Sequence, residues 1–265
     1  MLNQTKIYVG KCFRMFVTKK QYKNLISAAM IILLISIVTG NEMFTSYKDT
    51  KNGCFAIISA CVWIGLFNSI QAICSERAII KKEHHSGLHI SSYVLAHVVY
   101  DFCLCLSETL FVFTVVLIRN AGHLPETPVI LSKYTELYLT FFLVTFSSDV
   151  LAILISSIVR STSTAMTVMP FVLIIQLVMS GAVFELEGVT KYISYLTITK
   201  WGLDSLITIS NTNAKVHLEY LRASGEMCEP EPSTLLLQWG HLIMFIAVYI
   251  ILSIVFLHSV DKDER

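Results

Sequence analysis

The stretch "CSERAIIKKEHHSGLHISSYVLAH", Cys74 to His97, sets a knot of charge and histidine between two long apolar runs. Before it comes "CFAIISACVWIGLFNSIQAI" (54–73), and after its polar part comes "VLAHVVYDFCLCLSETLFVFTVVLI" (94–118). Each run is close to the ~20 residues needed to cross a ~30 Å hydrocarbon layer as a helix. The quoted stretch therefore reads as a polar bridge between two membrane-spanning helices.

The rest of the chain follows the same grammar. Of its 265 residues, 54% are hydrophobic and 15% charged, and the mean hydropathy is +0.65. A soluble domain of this size needs more polar surface. Apolar blocks predict an all-α membrane protein with six transmembrane helices, at about 24–40, 54–75, 93–118, 134–158, 165–184 and 238–258. Backbone polar groups must be satisfied internally in lipid, which leaves helices as the spanning element here. The net charge of +1 and the lack of a basic cluster interleaved with aromatics give no footing for nucleic acid.

Basic residues are held on the cytoplasmic side. Lys6, Lys11, Arg14, Lys19, Lys20 and Lys23 crowd the N-terminal segment, and Arg77, Lys81 and Lys82 occupy the bridge. Acids such as Glu185, Glu187, Glu219, Glu226, Glu229 and Glu231 gather in the opposite connections. A multi-pass protein of the cytoplasmic membrane with both termini inside is expected. No small-residue cleavage site follows the first apolar run, so a removed signal is not expected.

Two domains follow. Residues 1–23 form a connecting helix, on which Val9, Cys12, Phe13 and Phe16 share one face and Lys11 and Arg14 the other, suited to the inner headgroups and to a cytosolic partner. Residues 24–265 form the six-helix bundle, with a cytoplasmic loop at 75–92 and an outer segment at 185–237. The outer stretch "ELEGVTKYISYLTITKWGLDSLITISN" (185–211) is too apolar for a solvated loop and too interrupted by charge to span. It predicts short helices re-entering the outer leaflet against protein.

Enzyme chemistry is missing. There is no G-x-x-x-x-G-K-[ST] loop, H-E-x-x-H or G-x-S-x-G, so neither a nucleotide nor another cofactor is expected on this chain. His85 and His89 have metal-ligand spacing, but Gly87 intervenes and no third ligand is evident, so no metal is expected. Cys54 and Cys228, the outward pair among seven cysteines, are read as free thiols, with a bridge between them the open alternative. His97, Asp101 and Glu108 share a stripe of the third span and Asp149 lies in the fourth. Ionisable groups at membrane depth must face protein or water. Two readings stay open for them: cross-helix pairing, or a proton relay in a secondary transporter or channel.

With Glu76 and Glu83, "HSGLHISSYVLAHVVYDF" (85–102) resembles the first cytoplasmic loop of G-subfamily ABC transporters and the related bacterial permeases. This chain has one residue fewer than that pattern between Gly87 and Ser91. A second patch, "MSGAVFELEGVTKYISYLTITKWGLDSLITISN" (179–211), is similar to that family's outer closure, with Trp201–Gly202 at its aromatic-Gly pair. The resemblance implies the permease subunit of an ATP-driven exporter, itself no enzyme. Its partners would be a separate ABC ATPase subunit, which carries the ATP and Mg, a second permease chain (like or unlike) and membrane lipids.

The loop would then be a coupling helix. Glu76 and Arg77 leave the membrane, Ile79 and Ile80 give an apolar face, and Lys82, Glu83 and His84 offer charge to the ATPase. Ser86 and Gly87 end the helix. The path for an amphipathic peptide, lipid-linked or drug-like substrate would run past Trp63, Phe67, Asn68 and Gln71, and past Phe171, Gln176 and Met179. Gly181, Ala182 and Val183 would form the outer gate. The bare permease layout points to a bacterial source.

Overall fold

A computed structural model describes residues 2–18, 23–39, 44, 47–121, 128–184, 186–210 and 232–258, and the regular structure of these residues is helical throughout. In chain order the helices are α1 (Leu2–Thr18), α2 (Lys23–Thr39), α3 (Tyr47–Ser69), α4 (Arg77–His85), α5 (Ile90–Arg119) and α6 (Lys133–Ile158). They continue with α7 (Thr162–Val178), α8 (Val189–Ser194), α9 (Ile198–Ile209) and α10 (Pro232–His258). A turn of 3₁₀ helix, Cys74–Glu76, leads into α4.

Four helical stretches are long and apolar enough to cross a membrane: 49–85, which joins α3 to α4, then α5, α6 and α10. The apolar stretches 28–39 of α2 and 162–178 of α7 are shorter. The fifth predicted span, 165–184, is displaced towards the N-terminus. Ser161 starts α7 early by accepting the Thr164 amide at 3.2 Å. The helix stops at Val178, and Gly181 then takes φ +78°, which ends helical continuation. The last helix begins at 232 rather than 238, with Pro232 at the first position, where its missing N–H costs nothing.

Helix α6 is the axis of the bundle. Lipid tails are as apolar as leucine, so close contact between small residues holds membrane helices together. On α3 the buried stripe is Cys61, Gly65 and Ser69, and on α6 it is Ser148, Ala152 and Ser156. A Cβ on Gly65 would collide with Thr145 O, with the Asp149 amide at 2.9 Å and with Ser148 Cβ at 2.9 Å. The hydroxyls of Thr145, Ser147 and Ser148 bond to carbonyls one turn back, at 2.9, 2.6 and 2.9 Å, so they enter the core already satisfied. Helix α10 is tied on by Trp239 Nε1 donating to Thr140 Oγ1 at 3.0 Å. The N-terminus of α6 is closed by fully buried Glu136, whose Oε1 accepts the Ile130 and Leu131 amides at 2.6 and 2.8 Å.

Helix α9 lies inside the bundle. Gly202 packs against Val144 and Ile58, each near the middle of its own helix, and a Cβ there would stand 2.6 Å from Val144 Cγ2. The Trp201 ring stacks on His241 of α10 at 3.7 Å. Part of the 185–211 stretch, helix α9, thus lies deep among the long helices. Residue 185 and residues 211–231, with Cys228 and the Glu219–Glu231 acids of the orientation argument, lie outside the described residues. Cys54 is a fully buried free thiol.

Candidate functional site

The polar bridge of the opening stretch becomes a junction of five helices. Where α3 gives way after Ser69, two backbone amides need acceptors. Ser156 Oγ of α6 takes both, from Ile73 and Cys74, at 3.0 Å each. Arg77 Nη1 then donates to Ser157 O at 2.9 Å and Val159 O at 3.0 Å, closing the C-terminal end of α6 with a cation where the helix dipole favours one. Helix α4 buries Ile80 completely and leaves Ala78, Ile79, Lys82 and His85 exposed. Its exit uses Gly87 at φ +98°, and the Leu88 amide returns to Glu83 O at 3.0 Å.

Helix α1 is hydrogen-bonded along this junction. Gln4 Nε2 donates to Gly87 O, and Gln4 Oε1 accepts from the His89 amide, both at 3.2 Å. Tyr8 OH donates to Glu83 Oε2 at 2.7 Å. Lys11 Nζ pairs with Glu76 Oε2 at 3.1 Å, and the same oxygen accepts from Tyr93 OH of α5 at 3.1 Å. Positions 4, 8 and 11 lie on one helical face. Apolar contact extends the seam: Cys12 is buried with Tyr100 and Leu104, and Phe13 sets its ring edge on Tyr100 at 5.4 Å. Burial and the bond to Glu83 push the Tyr8 phenol up to about 12.

The predicted faces of α1 are therefore rotated. Lys11 turns inward to a carboxylate, while Phe13 is 45% exposed. The reason is electrostatic: a buried Glu76 needs a cation, and Lys11 is within reach.

The coupling residues divide by orientation. Glu76, Arg77 and Ile80 are engaged within the bundle, by α1 and α5, by the end of α6 and by the core respectively. Glu83 holds Tyr8 and is partly buried. His84 Nδ1 lies 2.8 Å from Leu88 O, and its ring meets that of His258 edge-on. Ile79, Lys82, Ser86 and Gly87 remain at the surface. Gln4, Tyr8 and Lys11, with Tyr93 and Ser156, were given no part in this junction by sequence reasoning, which read Lys11 only as a residue of the polar face of α1. The i, i+4, i+7 spacing of the first three was the legible signal.

Of the path residues, Trp63 and Phe67 stack at 5.5 Å on the exposed side of α3, and Phe171 is exposed on α7. Asn68 is half-buried and Gln71 exposed. Gln176 is placed differently from the expectation: it is buried, and its Oε1 accepts the Ile198 amide at 2.9 Å, capping α9. Its side-chain carbonyl oxygen is spent on the fold. Met179 is half-buried beside the turn at Gly181 and Ala182, and Val183 is exposed.

Cross-helix bonds engage the membrane acids. Asn68 Nδ2 donates to Glu108 Oε2 at 2.6 Å, Ser69 Oγ to Asp101 Oδ2 at 2.9 Å, and Cys105 Sγ to Asp149 Oδ2 at 3.1 Å. No group of three or more potential metal ligands occurs among the described residues.

An all-helical bundle with four apolar helices of membrane-spanning length and a braced polar elbow has the form of a multi-pass membrane protein. Residues 3–210 match the model of the ABC-2 type transporter family, and the chain belongs to that family. A 143-residue stretch is 25% identical to an ABC transporter ATP-binding/permease protein of Mycobacterium tuberculosis, covering 53% of this chain and 16% of that relative.

Proposed function

We propose that this chain is the permease subunit of an ABC exporter, with both termini in the cytosol and a separate ATPase subunit docking on α4. The observation that carries this reading is the elbow itself. Glu76, at the break between α3 and α4, is gripped by Lys11 of α1 and Tyr93 of α5, and Arg77 by the end of α6. A push on α4 is thereby delivered to four helices at once. Ile79 and Lys82, exposed on α4, supply the apolar and charged contact for the ATPase. The substrate is amphipathic and moves outward between two permease copies, past Trp63, Phe67 and Phe171.

The test is co-expression with an ABC ATPase encoded beside it. Ile79→Asp with Lys82→Glu abolishes co-purification of the ATPase while leaving the permease melting temperature unchanged, since both side chains face outward. Unchanged co-purification overturns the docking assignment. Labelling of Ser86→Cys by an impermeant thiol reagent on intact cells overturns the topology.

A proton-coupled transporter is the second reading. Its support is that His97 Nε2, Glu108 Oε1 and Asp149 Oδ1 are buried without a hydrogen-bond partner among the described residues. Transport that continues without ATP and stops on Glu108→Gln selects it.

A further inference from the structure

A cavity of 390 Å³ opens where α1, α3, α5 and α7 converge, beside the elbow. That volume is within the ~300–1,000 Å³ typical of small-molecule sites. Apolar side chains form much of its wall: Met15, Phe67, Leu104, Met166 and the ring of Tyr100. Its polar floor is unusual for a site flanked by membrane helices. Asp101 and His97, 2% and 6% exposed, both line it. Asp101 receives a hydrogen bond from Ser69 Oγ, a neutral donor. His97 Nε2 is buried without a partner among the described residues. Glu76 is also on the lining, and its carboxylate is already paired with Lys11.

We propose that this cavity is the receiving site for a small organic cation, an amine carried on an apolar body. The ammonium sits at the Asp101 carboxylate, and the apolar body lies against Phe67, Tyr100 and Met166. Two features single out a cation. Asp101 has no cationic partner among the described residues, so an ammonium would supply the ion pair that the site lacks; the aromatic faces lining the cavity attract cations within ~6 Å. The flexible thioethers of Met15 and Met166 adapt to a range of apolar shapes. The proposal rests on the transport reading for its purpose, because it names the class of cargo that enters beside the coupling helix. The binding itself stands apart from that reading.

The probes are benzylamine, benzyl alcohol and benzoate, titrated calorimetrically into the full-length permease in detergent, without any ATPase. Benzylamine binds saturably and at least tenfold tighter than the alcohol or the acid. Asp101→Asn weakens it at least tenfold. Ala72→Phe, at a half-buried lining position, blocks the cavity with its charges intact and abolishes binding. Equal binding of the neutral alcohol, preference for benzoate, binding indifferent to both substitutions, or no saturable binding at all overturns the proposal. Failure of the transport reading has a different signature: the amine still binds the isolated permease, but an ATPase neither co-purifies nor drives its export.

Discussion

Glu76 shows how much a single side chain carries here. Its Oε2 holds both Lys11 and Tyr93, so α1, α5 and the α3–α4 break share one acceptor. Glu76→Gln removes a charge-assisted bond worth about 1–3 kcal/mol. Lys11 keeps a third of its side chain in solvent, which limits the penalty of losing its partner. The expected result is a lower melting temperature in detergent and faster tryptic cleavage within α1, with cleavage elsewhere unchanged. Tyr8 adds a pH dependence. Its phenol is raised from 10.0 to about 12 in the folded protein, so the neutral form is the one that docks. The stabilisation is complete below pH 10 and fades as pH rises towards 12, because the unfolded chain releases that proton first. The difference in alkaline stability between wild type and Tyr8→Phe, followed by tryptophan fluorescence from pH 8 to 12, shrinks across that window.

At the scale of helices, close approach decides the architecture. Gly65 brings α3 against α6, and Gly202 seats α9 between them. Gly65→Ala drives a methyl into the backbone of Thr145 and Asp149, which cannot yield like a side-chain tip, and costs at least about 1–3 kcal/mol. Gly87 is a different case. Nothing lies within 4 Å of an added Cβ, and only its φ of +98° is at stake. Gly87→Ala therefore costs about 1–2 kcal/mol through backbone strain alone. Thermal unfolding of the two variants should rank them with Gly65→Ala the lower, and an inverse ranking refutes the packing account. Some of this was legible: Ser86 and Gly87 marked the turn after α4. The start of α10, at Pro232 rather than 238, was not. Neither was the end of α7, because its apolar composition continues to Phe184 while the helix does not.

For the molecule as a whole, α7 is held by a narrow stripe. Ala165, Met169, Leu173 and Gln176 are buried, while Phe171, Ile174 and Ile175 are more than half exposed. Trp63 and Phe67 of α3 are 41% and 39% exposed. These residues can meet lipid or a second permease. On the transport reading they face each other across a dimer, and Phe171→Cys cross-links to its counterpart with a short bismaleimide in native membranes. Cross-linking confined to a control cysteine at Val255, on the exposed side of α10, would relocate the interface.

The apolar blocks, the polar bridge at 74–97 and the short helices α8 and α9 could be read directly because hydropathy, helical period and turn chemistry are local properties. The direction each charged side chain takes is not local. It depends on how far each helix is rotated about its axis and where it crosses its neighbours, and so on partners far along the chain. Lys11 and Glu76 are 65 residues apart, and Ser156 and Ile73 are 83. Low dielectric punishes an unmatched carboxylate or amide, so the tertiary arrangement that matches them turned residues suited to a partner's surface into the fasteners of the elbow.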